Sequence, residues 1–238
     1  MIRQLSICSL VFLAGFSPAC WAWKKVTPTQ VEYNAWPDVC KSSQFLAIPP
    51  DNIRPKISEH DHKVLWASGG WHYCTGLLKV RRAELMPPTP EFRDYVEDAL
   101  KDINVSFVKI DKQEPWSAEM AVTAARAHRL LKETDEAEKF LKFARSQHPS
   151  YAPAYTASAM LSFDAKDYQA AIAILQEGIN SSGDSGELHY FLGLAYFYDG
   201  NIEEAKKYAE SARSLGYPLT GLARKISRLE NAAVTATE

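Results

Sequence analysis

His60, His62, His72 and Cys74 form the one cluster in this 238-residue sequence that combines the nitrogen and sulfur donors of a metal site. Two histidines separated by a single residue also occur in ordinary polar loops, and Cys74 has a competing use. There is no Gly-rich phosphate loop, no Cys-x-x-Cys and no His-Glu-x-x-His helix. No spacing of Ser, His and Asp pairs a nucleophile with a base. The reading is therefore not an enzyme, with no cofactor and no assigned metal ligands. A metal- or small-ligand-binding module built on His60, His62 and His72 stands as the alternative.

The use that competes for Cys74 is a disulfide, and it depends on export. Arg3 opens the chain, residues 5–16 are an apolar run, and Ala19 and Ala22 offer small-residue cleavage points, the pattern of a secretory signal peptide over 1–22. A retained membrane anchor is the alternative, although the run is short for a span. Cleavage after Ala22 removes Cys8 and Cys20 and leaves Cys40 and Cys74, an even pair that an oxidising compartment would bond. Cleavage after Ala19 would leave Cys20 first. For a cleaved chain, lipid on it is the one route to a membrane, and the Phe16-Ser17-Pro18-Ala19 approach lacks the aliphatic residue of a lipoprotein signal. The formal charge of −2 gives no basic excess to displace counterions, so nucleic acid is not expected as a ligand.

The elements that must position any site come from a period. Ala118, Ala152 and Gly186 are 34 residues apart, as are Ala125, Ala159 and Gly193, then Ala137, Ala171 and Ala205, then Ala144, Gly178 and Ala212. Small residues at a fixed period mark the places where the backbones of a tight helix pair approach. Leu141, Leu175, Tyr155, Tyr168, Tyr196 and Phe191 fill the gaps between. A 34-residue period with these features belongs to stacked helix–turn–helix pairs. Asn201 followed by Glu204 fits a capping box, Asp167 can cap its helix, and Asp199-Gly200 permits a tight reversal.

With three copies in register, the segment resembles tetratricopeptide repeats, best in the third copy, HYFLGLAYFYDGNIEEAKKYAESARSLGYP. The first copy is weak in its first helix, with Ala121 where a bulky aromatic is usual, and the second departs at Ser162. The runs WPDVC (36–40) and HYC (72–74) are similar to the opening of a group of exported bacterial repeat proteins.

The fold expected is all-α, with tandem antiparallel helix pairs in a right-handed superhelix. An irregular, disulfide-pinned N-terminal region (23–63) should pack as a cap, with a short helix within 39–47. A degenerate pair (64–117) should join one helix over 64–85 to another over 92–110, with Gly76 and Ala99 as its close-contact residues. Repeats occupy 118–151, 152–185 and 186–218, a capping helix 219–231, and a disordered tail 232–238.

The resemblance implies a scaffold for a protein or peptide, with the first helix of each pair lining a concave face. The positions that usually point inward are Val122, Arg126 and Arg129, then Thr156, Met160 and Phe163, then Tyr190, Leu194, Phe197 and Tyr198. This set reads as an apolar and aromatic groove with two arginines at one end, suited to an amphipathic helix or extended segment whose carboxylate the arginines would meet. The Lys and Asn residues with which some repeats clamp a C-terminal carboxylate are not at these places. Export to a bacterial periplasm, and a role in assembling an envelope or secretion complex, are the accompanying expectations. The sequons at Asn104 and Asn180 would matter only in a eukaryotic source.

Overall fold

The chain reversal inside each repeat is set by a residue in the left-handed region. Lys132 (φ 62°), Lys166 (φ 58°) and Gly200 (φ 91°) lie 34 residues apart and end the first helix of each repeat, so the period of the sequence is also a period of the backbone. The computed structural model describes residues 27–44, 46–50 and 52–235. The signal segment 1–22 with Cys8 and Cys20, together with Phe45 and residues 236–238, lies outside these.

The described residues form twelve helices and no strand. Two short ones, α1 (Gln30–Ala35) and α2 (Asp38–Ser42), precede α3 (Glu59–Ser68), α4 (Gly70–Ala83) and α5 (Phe92–Lys109). The repeats are α6 (Pro115–Leu130) with α7 (Thr134–Gln147), α8 (Ala152–Asp164) with α9 (Tyr168–Ser182), and α10 (Gly186–Asp199) with α11 (Ile202–Ser214). The last helix is α12 (Gly221–Thr235). The pairs α4–α5, α6–α7, α8–α9 and α10–α11 pack internally, and each stacks on the next through α5–α6, α7–α8 and α9–α10.

The small-residue rows do what their spacing requires. Ala125, Ala137, Ala159, Ala171 and Ala205 are buried. A Cβ on Gly193 would stand 2.7 Å from Leu222 Cδ2, and one on Gly178 2.7 Å from Tyr155 Cβ. In the degenerate pair a Cβ on Gly76 would stand 2.6 Å from Ile103 Cγ1 and 2.8 Å from the carbonyl oxygen of Ala99. Gly76 and Ala99 thus hold the positions expected of them. The Asp167 side chain caps α9 by accepting from Ala170 N at 3.0 Å. Asn201 caps α11 by accepting from Glu204 N at 3.3 Å, while the Glu204 carboxylate pairs forward with Lys207 at 3.0 Å.

Three expectations are corrected. The helix over 64–85 is broken at Gly69, which takes φ 64° at no steric cost because it lacks a Cβ. Its first half starts earlier, at Glu59, where Ser58 Oγ accepts from Asp61 N at 2.9 Å. The region before residue 63 holds α1, which a complete Thr29–Glu32 capping box starts. Finally, α12 continues to Thr235, through four residues expected as tail.

The N-terminal segment is fastened in four ways. Cys40 and Cys74 are bonded, with their Cα atoms 5.4 Å apart. Tyr33, Trp36 and Val39 are buried with Tyr73, Leu77 and Leu78 of α4. Arg54 donates to the carbonyls of Lys41, Ser43 and Leu46, closing the loop after α2. Arg82 grips Glu32 with two bonds of 2.6 and 2.8 Å, and the Arg82 hydrogen bond holds the Glu32 carboxyl down to about 2. A depressed carboxyl contributes stability above its unfolded value that is lost as pH falls through the folded one. Between pH 5 and pH 2 the chain should therefore lose about 1–2 kcal/mol from this pair, after allowing for screening of a partly exposed site. Denaturant midpoints at the two pH values check this: the loss should shrink in Glu32→Gln.

Lys79 is buried on the α4–α5 seam and bonds Asp102 (2.7 Å) and Asp98 (2.5 Å). Burial pulls its ammonium down, but the bonds to the two aspartates more than offset this and hold it above its ordinary value.

Candidate functional site: the groove on the first helices

The first helix of each repeat presents one face to a shared groove of about 350 Å³. Val122 and Ala125 of α6, Ala157, Met160 and Leu161 of α8, and Phe191 of α10 give it an apolar floor. Four lining residues carry charge: Glu84, Arg126, Arg129 and Glu187. Glu84 comes from the end of α4, so the degenerate pair contributes to the wall.

The arginines do not stand ready for a partner's carboxylate, as the sequence suggested. Arg126 is closed by Glu84 through two bonds (Nε to Oε1 at 2.8 Å, Nη2 to Oε2 at 2.5 Å). Arg129 is closed by Asp164 in the same way, at 2.5 and 2.7 Å. Such forked pairs fix both partners. For Arg126, burial pulls downward, but the Glu84 bonds outweigh it and raise the guanidinium further. The acids behave differently. Burial pushes the Glu187 carboxyl up, against smaller opposing effects of the Thr156 hydroxyl and the Arg126 charge. Burial also raises Glu119, whose Oε1 accepts from Tyr73 Oη at 2.7 Å.

The aromatic end of the expected groove is taken by the chain itself. Tyr190, Leu194 and Phe197 pack against Leu222 and Ile226 of α12, so they form the seat of that helix. A half-polar helix laid on the last repeat covers an apolar face that water would otherwise meet. Phe163 and Tyr198 stack instead with Tyr168 near the turns, and Lys225 of α12 sits 5.3 Å above the Tyr198 ring. Of the ten residues read as inward, five line the groove: Val122, Arg126, Arg129, Thr156 and Met160.

This arrangement can be set beside known proteins. Residues 186–215 match the family model of the tetratricopeptide repeat. Over 143 residues, 60% of the chain, it is 32% identical to Superkiller complex protein 3 of Homo sapiens, and the match spans 9% of that protein's length. Among solved structures, MamA is 19% identical with a TM-score of 0.44, covering 68% of this chain and 96% of its own. A thermophilic TPR protein of Thermus thermophilus is 17% identical with a TM-score of 0.47, covering 70% of this chain and 97% of its own.

The matched segment is the third copy of the 34-residue period. Among the described residues the chain is an all-helical repeat scaffold similar to tetratricopeptide repeats, an architecture suited to protein–protein interaction. Sequence reasoning missed Glu84, Pro153, Ala157, Leu161, Glu187 and Phe191 as lining residues. One signal was present: Glu119, Pro153 and Glu187 are themselves 34 apart, one turn before the Val122, Thr156 and Tyr190 row. Glu84 had none, because it lies outside the repeats.

The histidines are not brought together. His60 Nε2 lies 2.9 Å from Glu114 and His72 Nδ1 3.1 Å from Asp102, on different parts of the N-terminal unit. Among the described residues no group of three or more His, Cys, Asp or Glu is placed to hold a metal ion. Among them, too, no helix is long and apolar enough to cross a membrane.

Proposed function

We propose that this chain is an exported scaffold that holds a segment of another protein in the groove of α6, α8 and α10. The observation that carries this reading is the groove itself. It is apolar at its floor through Val122, Met160, Leu161 and Phe191, and it is built by the helices that stack the repeats. Driving water from such a surface favours a partner with an apolar face of its own, an amphipathic helix or an extended segment. The Cys40–Cys74 bond supports export, since such bonds persist in oxidising compartments. A bacterial periplasm and a part in assembling an envelope or secretion complex complete the proposal. Nucleic acid is not its ligand, and lipid on Cys20 would be its only tie to a membrane.

The test is a photocrosslinking residue placed at Met160 in the native cell, with the exposed Lys142 on α7 as control. Met160 should yield a protein adduct that Lys142 does not. Met160→Glu should weaken binding of the purified adduct partner by about 2 kcal/mol or more, roughly 30-fold, if Met160 is an anchor. Equal adducts from both positions, or unchanged affinity in Met160→Glu, would refute the groove.

A further inference from the structure

The groove's charges decide what kind of segment it takes. Its two arginines are already committed, each locked to an acid of this chain by a forked pair. An acidic partner would have to displace Glu84 or Asp164, which are tethered in place and always present. Among the described residues, Glu187 is then the one charged lining residue without an ion pair. It is half-buried. Its position in the first turn of α10 favours the helix, as any acid there does, but that benefit is equally open to a fully solvated carboxylate.

A second observation comes from the same wall. Thr156 is 6% exposed, lines the groove, and its Oγ1 has no hydrogen-bond partner. It lies beside the Glu187 carboxylate, near enough for its hydroxyl to hold that carboxyl down, yet no well-formed hydrogen bond joins the two. A carboxylate and a hydroxyl oxygen side by side are acceptors for one group with several donors, an ammonium or a guanidinium. The surroundings suit the rest of such a side chain: Ala157, Met160, Leu161 and Phe191 give an apolar bed for the methylene stem of lysine or arginine. Resting on the groove reading, we infer that the bound segment is anchored by a basic side chain whose cation is received by Glu187 and Thr156. Partial burial without an ion pair is unfavourable for Glu187, and an incoming cation relieves it, so part of the desolvation is met before binding.

A random peptide library displayed on phage and selected against the full chain tests this. Selected peptides should be enriched in Lys or Arg next to apolar residues. A synthetic copy of one should bind Glu187→Gln at least 10-fold more weakly than the unaltered protein, and Glu187→Lys should turn the selection toward acidic peptides. Glutamine keeps the shape of the side chain, and circular dichroism confirms the fold of each variant. Peptides of acidic or neutral composition, or equal binding to Glu187→Gln, would overturn the inference while leaving the groove in place. Peptides whose binding ignores Met160→Glu would overturn both.

Discussion

Replacing Cys40 and Cys74 together by alanine should cost about 3–4 kcal/mol, by the chain-entropy model for a closed loop of this length. The two residues are 34 apart, and the bond joins α2 to α4. Without it, the cap must be held by the burial of Tyr33, Trp36 and Val39, by the Arg82–Glu32 pair, and by the bonds that Arg81 and Arg82 donate to the carbonyls of Ala35 and Thr27. Denaturation of the oxidised protein and of the double variant measures the difference. Thiol counting on denatured, unreduced protein should find neither cysteine free. A double variant within about 1 kcal/mol of the parent would mean that packing, not the covalent link, retains the cap.

Gly76→Leu should be at least as damaging, with about 3 kcal/mol or more lost, at the upper end for overpacking. The obstacle at Gly76 is partly backbone: a Cβ there would stand 2.8 Å from the Ala99 carbonyl, which cannot swing away as a side chain can. The helices α4 and α5 would have to separate, taking with them the Lys79 bonds to Asp98 and Asp102. Leucine at the exposed Lys142 should change stability by less than about 0.5 kcal/mol. Thermal melts that show the two changes equally mild would contradict the close contact.

Much of the helical array could be read from the sequence because steric demands repeat. Close backbones need Ala or Gly, so the contacts of α6 to α11 wrote themselves into rows 34 apart. The same logic reached Gly76 and Ala99 outside the repeats. The break at Gly69 was hidden because Trp66, Gly70, Tyr73, Leu77 and Val80 keep helical spacing across it, and spacing does not report a residue's φ. The first helix was hidden by the prolines around it, although Thr29 and Glu32 were legible as a capping box. At the groove, the rows gave five of the lining residues, the two arginines among them, but not the arginines' partners. Arg126 meets Glu84 at 42 residues' separation and Arg129 meets Asp164 at 35, and no local pattern announces such pairs. The seat of α12 was misread for a related reason: an inward apolar row looks the same whether a partner or the chain's own last helix covers it.

Among the described residues, nearly all of the buried hydrophobic side chains fall into four clusters strung along the array. The first is the largest and contains the disulfide, and the last consists of Ala205, Leu222 and Ile226 with half-buried neighbours. A chain built this way has no single opening event. Each unit is held by its neighbours, so the free energy of local opening is graded along the axis. Amide hydrogen exchange would then be slowest in α4 and α5 and fastest in α12. The slow end keeps the cap in place, while the fast end lifts and resettles. Each such excursion bares Tyr190, Leu194 and Phe197, and the rest of the array stays folded while it happens.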